Sequence, residues 1–333
     1  MSARESIIPV FVPHLGCPND CVFCNQRRIS GSLSPARPGD VAAAIDRALS
    51  LTPPGTRRQL AFYGGSFTAI PDAEQEALLG AAQPYLERGD IASIRLSTRP
   101  DAIDGAVLAR LRRYGVETVE LGAQSMSDSV LALSGRGHTA ADVEEASRAV
   151  KAAGFRLILQ MMTGLPGSDD ETDIGSARSI AALGPDGVRV YPTVIVRDTA
   201  LFDLWRAGRY KEHTVEDAVR VCARIVPIFE AAGIPIIRMG LNPTEDLSGG
   251  DAVGGAYHPA LGELVRARIM RGRAEALLEG TAPGADITLR VNPRLMSQLV
   301  GQHGANRAYL REKFALKRLK ILPDAAVEGV ELG

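Results

Sequence analysis

Three of the four cysteines fall within eight residues, in Cys17-Pro-Asn-Asp-Cys21-Val-Phe-Cys24. Thiolates are soft ligands that suit zinc or iron–sulfur clusters, and the C-x3-C-x2-C spacing gathers three of them on one short loop. Two fillings are open at this point. With His14, three residues ahead of Cys17, the set completes a Cys3His zinc site. Without it, three thiolates leave one position of a four-metal cluster to some other ligand. A disulfide scaffold is excluded, because it spreads an even cysteine count through a much shorter secreted chain. Cys222 lies apart in AVRVCARIVPIF, where apolar residues recur at helical spacing, and reads as a buried small hydrophobe.

Such a loop needs elements to hold it. Short apolar runs at 7–13, 60–64, 93–98, 118–122, 156–162, 187–192 and 234–239 read as strands. Helical patterns lie between them near 38–50, 72–88, 102–113, 139–153, 170–182 and 214–232. Strands that alternate with helices imply βαβ units and a parallel sheet, either open and doubly wound or curled into a barrel. Each strand empties into a Gly-, Pro- or polar-rich turn: GCPNDCVFC, GGSF, TRPD, GAQSM, GLPG, YPT and GLNPTE. In a parallel barrel all such turns share the C-terminal rim, where active sites are built.

Taken with these turns, the cysteine loop resembles that of the radical SAM superfamily, with Phe23 just before the last cysteine and FYGGSF as the second-strand glycine motif. STRPD (97–101), ELGAQSM (120–126), SGRGHT (134–139) and QMMTGLPG (160–167) are similar, in this order, to the branch containing the catalytic subunit of Elongator. Coproporphyrinogen dehydrogenases are more distant relatives. The likeness covers residues 7 to about 245. It implies a partial parallel (β/α) barrel of six or seven strands, a [4Fe–4S] cluster on Cys17, Cys21 and Cys24, and S-adenosylmethionine on the fourth iron. The implied chemistry is reductive cleavage of the sulfonium to a 5′-deoxyadenosyl radical, with the electron from a flavodoxin- or ferredoxin-type donor. Against this set the zinc filling recedes.

The resemblance also implies cofactor contacts. Gly64 and Gly65 let backbone N–H groups approach a small ligand, and Arg99 can pair bidentately with the methionine carboxylate, or else with Asp101 or Asp104. Gln124 and Ser125 would reach ribose or carboxylate, Arg136 cofactor or substrate, and the turn carrying Gly164 and Pro166 the adenine. His138 followed by Thr139 reads equally as a helix start. At the rim, Tyr191, Glu245, Tyr257 and His258 are candidates to meet the substrate. Two departures stand out. Ser66 occupies a position where many members carry an acidic residue for the methionine amino group. The stretch after 245 is expected to be too short for Elongator's acetyltransferase domain, so acetyl transfer is not carried over.

Composition fits an ordinary globular protein, with 45% hydrophobic and 23% charged residues, a mean hydropathy of +0.01 and a net charge of −1. No stretch approaches the ~18 apolar residues of a membrane span, and the N-terminus lacks a secretory signal, so cytoplasm is the expected location. The organisation expected is a core barrel over 1–245, a helical extension and linker over 246–284, and a compact segment over 285–323. In that last segment a strand (286–291), a short helix (293–300), Gly301-Gln302-His303-Gly304, a second helix (305–314) and a closing strand (316–322) follow in the core order of a KH domain. There the GxxG turn clamps an RNA backbone. No third strand is evident in the sequence. Residues 286–322 carry a net charge of +6 and leave −7 for the rest, so the basic charge is localised as a nucleic-acid footprint should be. Gly301, Gln302, His303, Gly304 and Arg307 are its candidate contacts. The expected substrate is therefore an RNA base, tRNA first. The alternatives are a small metabolite such as a tetrapyrrole, or a zinc-binding protein without chemistry.

Overall fold

A computed structural model describes residues 5–12, 21–25, 36–53, 55–241 and 247–333. Seven strands lie side by side in chain order, every neighbouring pair parallel: β1 (Glu5–Phe11), β2 (Arg57–Tyr63), β3 (Ser93–Thr98), β4 (Val116–Gln124), β5 (Arg156–Thr163), β6 (Gly187–Pro192) and β8 (Ile236–Met239). The sheet curls into a half-barrel with its helices outside. The crossovers are α1 (Pro38–Leu51), α2 (Asp72–Glu87), α3 (Gly105–Arg113), the short α4 (Asp128–Leu133) followed by α5 (Ala140–Ala152), α6 (Asp170–Ala182) and α8 (Val215–Ala231). Their starts are fixed locally. Thr139 and Thr214 each form a capping box with the aspartate three residues on, and Asp104 and Asp169 cap α3 and α6.

Strand alternation divides the residues between two faces. Leu60, Phe62, Ile94, Leu96, Val119, Leu121, Leu157 and Leu159 join the main core under the helices. The other face lines the lumen and is polar, which the alternation inside these short runs permits. Because all seven strands run the same way, the turns after them gather at one rim.

After β6 the chain forms β7 (Val194–Val196) and α7 (Ala200–Arg206), and β7 pairs antiparallel with β9 (Ala252–Gly255). The helix α9 (Leu261–Leu278) then links two cores. Val265 belongs to the barrel core, whereas Met270, Ala274 and Leu278 pack with Leu289, Leu299, Leu310 and Leu319. The second core therefore begins inside α9, ahead of the Gly- and Pro-containing stretch at 280–285. It covers one face of a sheet made of β10 (Asp286–Val291), β11 (Arg318–Pro323) and β12 (Val330–Leu332). β10 is central, parallel to β11 and antiparallel to β12. The third strand that the sequence did not disclose is thus β12. The helices α10 (Met296–Val300) and α11 (Ala305–Lys313) complete the unit on either side of Gly301–Gly304. Burying each large aliphatic side chain here contributes about 2 kcal/mol.

Candidate active site

The cysteine loop is described at Cys21–Asn25; Cys17 and His14 lie outside the described residues. The Cys24 N–H donates to the Cys21 carbonyl at 2.9 Å, so the two cysteines bracket a tight turn. The loop is held at both ends of that turn. Val22 N–H donates to Ser134 O at 3.1 Å, and its carbonyl accepts from Leu201 N–H at 2.7 Å. Phe23 packs against the cluster of Val130, Met162 and Leu165, as Tyr191 does, and also against that of Ile195, Leu201 and Tyr210. Arg136 is buried, donating from Nη2 to Gly122 O at 2.7 Å and from Nη1 to Cys21 Sγ at 3.4 Å. Sulfur atoms carried on one tight turn are soft ligands. This donor set fits a soft-metal cluster. Among the described residues no group of three His, Cys, Asp or Glu forms a metal site, as follows when Cys17 lies outside them.

The rim turns differ in what they offer. Gly64 and Gly65 have φ of 75° and 60°, the left-handed region open to glycine. They follow β2 directly beside the end of β1, where Val12 N–H donates to Tyr63 O at 2.8 Å. Gln124 shares that left-handed conformation at φ 65°, unusual for a side-chain-bearing residue, and is only 5% exposed. Its Oε1 accepts from Gln160 Nε2 at 3.4 Å. Gly164, at φ 72°, opens the turn that carries Leu165, Pro166 and Gly167. Its N–H donates to Asp173 Oδ2 at 2.8 Å, and Ser168 Oγ donates to the other oxygen of the same carboxylate. Burial pushes the Asp173 carboxyl up to about 7.

Three of the residues expected to touch cofactor make internal bonds. Ser66 is fully buried, its Oγ 2.9 Å from Thr98 Oγ1 and accepting from Arg99 N–H at 3.2 Å. These bonds tie β2 to β3. Ser125 Oγ lies 3.2 Å from Ser176 Oγ and accepts from Ser127 N–H at 3.1 Å. Arg99 forms a bidentate pair with Asp101, at 2.9 and 2.7 Å, the rim salt bridge that was its alternative. His138 Nε2–H donates to Ala123 O at 3.2 Å, and burial pushes the pKa of the imidazole down to about 4. The imidazole is therefore neutral and Nε2–H is the donor. Thr139 caps α5.

The lumen holds a network that the sequence reading missed. Glu120, 2% exposed, accepts from Arg95 Nη1 at 2.9 Å and from Arg189 Nε and Nη2 at 2.8 and 3.1 Å. Arg189 Nη2 also donates to Tyr63 Oη at 2.9 Å, and Arg95 Nε to Gln59 Oε1 at 2.5 Å. Burial, reinforced by the Glu120 charge, pushes the Tyr63 phenol up to about 12. Tyr191 Oη lies 3.5 Å from Arg189 Nη1, which joins that rim candidate to the network. A signal did exist, because SIRLST, TVELG and GVRVYP each place one charged residue in the middle of an otherwise strand-forming run.

The remaining candidates separate. His258 Nδ1 accepts from Ala260 N–H at 3.1 Å and so serves the start of α9. Tyr257 packs against Val194 and Val196. Glu245 lies outside the described residues. In the C-terminal unit, Gly301 and Gly304 have φ of 75° and 76°, and His303 has φ 51°. A Cβ at Gly301 would sit 2.9 Å from Asn306 N, whereas at Gly304 it would meet open space. The turn borders a surface cavity of about 440 Å³ that Ser297, Val300, Glu263 and Ala267 also line. Gln302 and His303 of this lining are exposed, and so are Arg294, Arg307 and Arg311 of the same unit.

The comparisons agree with this arrangement. The model of the radical SAM superfamily matches residues 11–180, and that of the radical SAM C-terminal domain residues 185–271. Elongator complex protein 3 of Homo sapiens is 34% identical over 185 residues, covering 50% of this chain and 34% of its own length. The tRNA uridine(34) acetyltransferase of Dehalococcoides mccartyi is 28% identical over 237 residues, covering 61% and 52%. The chain thus spans about a third to a half of the curated relatives it matches. Among solved structures, the archaeal Methanocaldococcus infernus Elp3 with an N-terminal deletion aligns at TM-score 0.64 and 23% identity, over 82% of this chain and 64% of that one. Coproporphyrinogen III oxidase from Escherichia coli aligns at TM-score 0.51 and 19% identity, over 69% and 53%. Both likenesses bear on the fold. The zinc-protein alternative gives way, since the family model accounts for the cysteine loop and the half-barrel together. With half of its length matched by the family model, the chain belongs to the radical SAM superfamily of enzymes, and over half of its length it is similar to Elongator complex protein 3.

Proposed function

We propose that this radical SAM enzyme acts on RNA, with a base of tRNA as its target. The observation that carries the reading is the GxxG turn of the C-terminal unit, which leads into α11 amid exposed arginines. Glycines allow a phosphate to approach closely, and the positive end of the nine-residue helix α11 begins at Gly304. The name of the Dehalococcoides relative supports the same substrate class.

The family implies a [4Fe–4S] cluster and S-adenosylmethionine. Cys17, Cys21 and Cys24 would hold three irons, with Arg136 beside the sulfur of Cys21. Gly64, Gly65 and Arg136 would meet the methionine end, Gln124 the ribose, and the turn with Gly164 and Pro166 the adenine. Ser66, Ser125 and Arg99 support these contacts from behind. When bound, the cluster and S-adenosylmethionine supply reductive cleavage of the sulfonium; a flavodoxin- or ferredoxin-type protein is the electron source. The protein binds, orients and excludes water. In the lumen, Glu120 fixes Arg95 and Arg189 so that their remaining N–H groups orient acceptors of the target base. Tyr191 packs against the same cluster as Phe23 and lies beside Arg189, which supports it, over His258, as the side chain that meets the substrate.

Anaerobic incubation of the reconstituted enzyme with S-adenosylmethionine, dithionite and total tRNA, followed by nucleoside mass spectrometry, tests the proposal. A new nucleoside mass that a Cys24→Ala variant does not produce is expected. Unaltered tRNA alongside turnover of a porphyrinogen would move the substrate to the small-metabolite class.

A further inference from the structure

Residues 193–213 grip two separate parts of the site. At one end they hold the cysteine loop: Leu201 N–H donates to Val22 O at 2.7 Å, and Asn25 Nδ2 donates to Arg197 O and Asp198 O at 3.4 Å. Val22 and Phe23 pack into the cluster of Ile195, Leu201 and Tyr210, together with Phe202 and Trp205. At the other end they hold the turn after β5. Tyr210 Oη donates to Gly164 O at 2.6 Å, and Thr163 Oγ1 lies 3.1 Å from His213 Nε2. Thr193 donates to Thr163 O from both its N–H, at 2.9 Å, and its Oγ1, at 2.7 Å.

Gly164 is thereby fixed on every side. Asp173 takes its N–H, Tyr210 its carbonyl, and a Cβ there would fall 2.1 Å from His213 Cγ. The Thr163–Gly164 peptide, held at its carbonyl by Thr193 and at its N–H by Asp173, cannot tilt without leaving one of them unpaired, and Tyr210 holds the next peptide by its carbonyl. A flat ring laid on such a turn meets a wall of constant depth.

We propose that residues 193–213 are a brace that sets the separation between the cysteine loop and the 164–167 turn, with Tyr210 as the positioning residue that holds the turn. The proposal rests on the reading of that turn as the adenine contact. The single tryptophan of the chain, Trp205, sits in the brace and reports on it directly.

Tyr210→Phe keeps the ring and removes one hydrogen bond. In anaerobically reconstituted protein, iron content and melting temperature should match wild type, while the dissociation constant for S-adenosylmethionine rises roughly tenfold. Turnover at saturating cofactor should be unchanged, so the effect appears in KM and not in kcat. S-adenosylmethionine should alter Trp205 emission in wild type and no longer do so in Tyr210→Phe, even at saturation. His213→Asn, which frees the same turn from the neighbouring contact, serves if Tyr210→Phe does not fold. Leu165→Ala, inside the turn, tests the underlying reading. Weaker binding in Leu165→Ala with wild-type affinity and emission in Tyr210→Phe overturns the brace alone. Wild-type affinity in both overturns the adenine assignment as well.

Discussion

Gln124 carries a conformational cost at the end of β4, where the register against β5 shifts. A left-handed φ of 65° costs a residue with a Cβ about 1–2 kcal/mol, and such strain persists where function over-determines the backbone. Replacing it with glycine relieves the strain and loses about as much to chain entropy. Gln124→Gly should therefore leave the melting temperature within a few degrees of wild type while weakening S-adenosylmethionine binding at least tenfold; unchanged affinity would make the strain a feature of the fold alone. Asp173 offers a pH test. Burial raises its folded pKa to about 7 from 3.8, so between those values the folded state binds more protons than the unfolded one. Stability from this group is fully present below pH 3.8 and is lost as pH rises through 7. Relative to Asp173→Asn, wild type should lose thermal stability steadily from about pH 4 to pH 7, and a constant difference would contradict the assigned burial. Residue identity made the left-handed turn at Gly64 and Gly65 legible, since glycine is the residue that takes such a φ freely. It did not disclose the inward bonds of Ser66 and Ser125, because a hydroxyl at a rim position looks the same in sequence whatever it bonds.

At the scale of elements, the seven parallel strands were legible because each is a bounded apolar run followed by a polar turn. Their bounds moved by no more than a few residues, as at Arg57–Tyr63 against 60–64. Three strands were not legible, nor were the short helices α4 and α7. β7, β9 and β12 span only three or four residues, and each pairs with a partner distant in sequence, so no local period marks them. β12 matters most, since it completes the three-stranded sheet behind the GxxG turn. Gly301 and Gly304 differ in what they tolerate. A side chain at Gly301 collides with Asn306, whose Nδ2 bonds Ala267 O and Gln298 O, whereas one at Gly304 projects freely. Gly304→Asp should thus keep the unit folded, with only the strain of its positive φ, and place a negative charge where a phosphate would lie. Filter binding should show weaker tRNA affinity, with iron content and S-adenosylmethionine affinity as in wild type. Wild-type tRNA binding should itself fall steeply with salt, because neutralised phosphates release counterions. Equal binding by variant and wild type would leave the turn a linker between helices.

For the whole molecule, a net charge of −1 hides a division, with +6 on residues 286–322 and −7 elsewhere. The half-barrel supplies the cysteine loop and the cofactor rim, and α9 joins its core to the basic unit through one continuous helix. No helix among the described residues is long and apolar enough to cross a membrane. This layout makes a demand of the two halves together: RNA held by the basic unit should bring its target to the lumen and raise productive turnover at the rim. The direct measurement is 5′-deoxyadenosine formed per enzyme, anaerobically, with S-adenosylmethionine and dithionite, in the presence and absence of total tRNA. The account predicts slow release without tRNA, several-fold faster release with it, and none from a Cys17→Ala, Cys21→Ala, Cys24→Ala variant in either case. A rate that tRNA leaves unchanged would contradict RNA as the substrate, and 5′-deoxyadenosine from the triple variant would contradict the cysteine loop as the site.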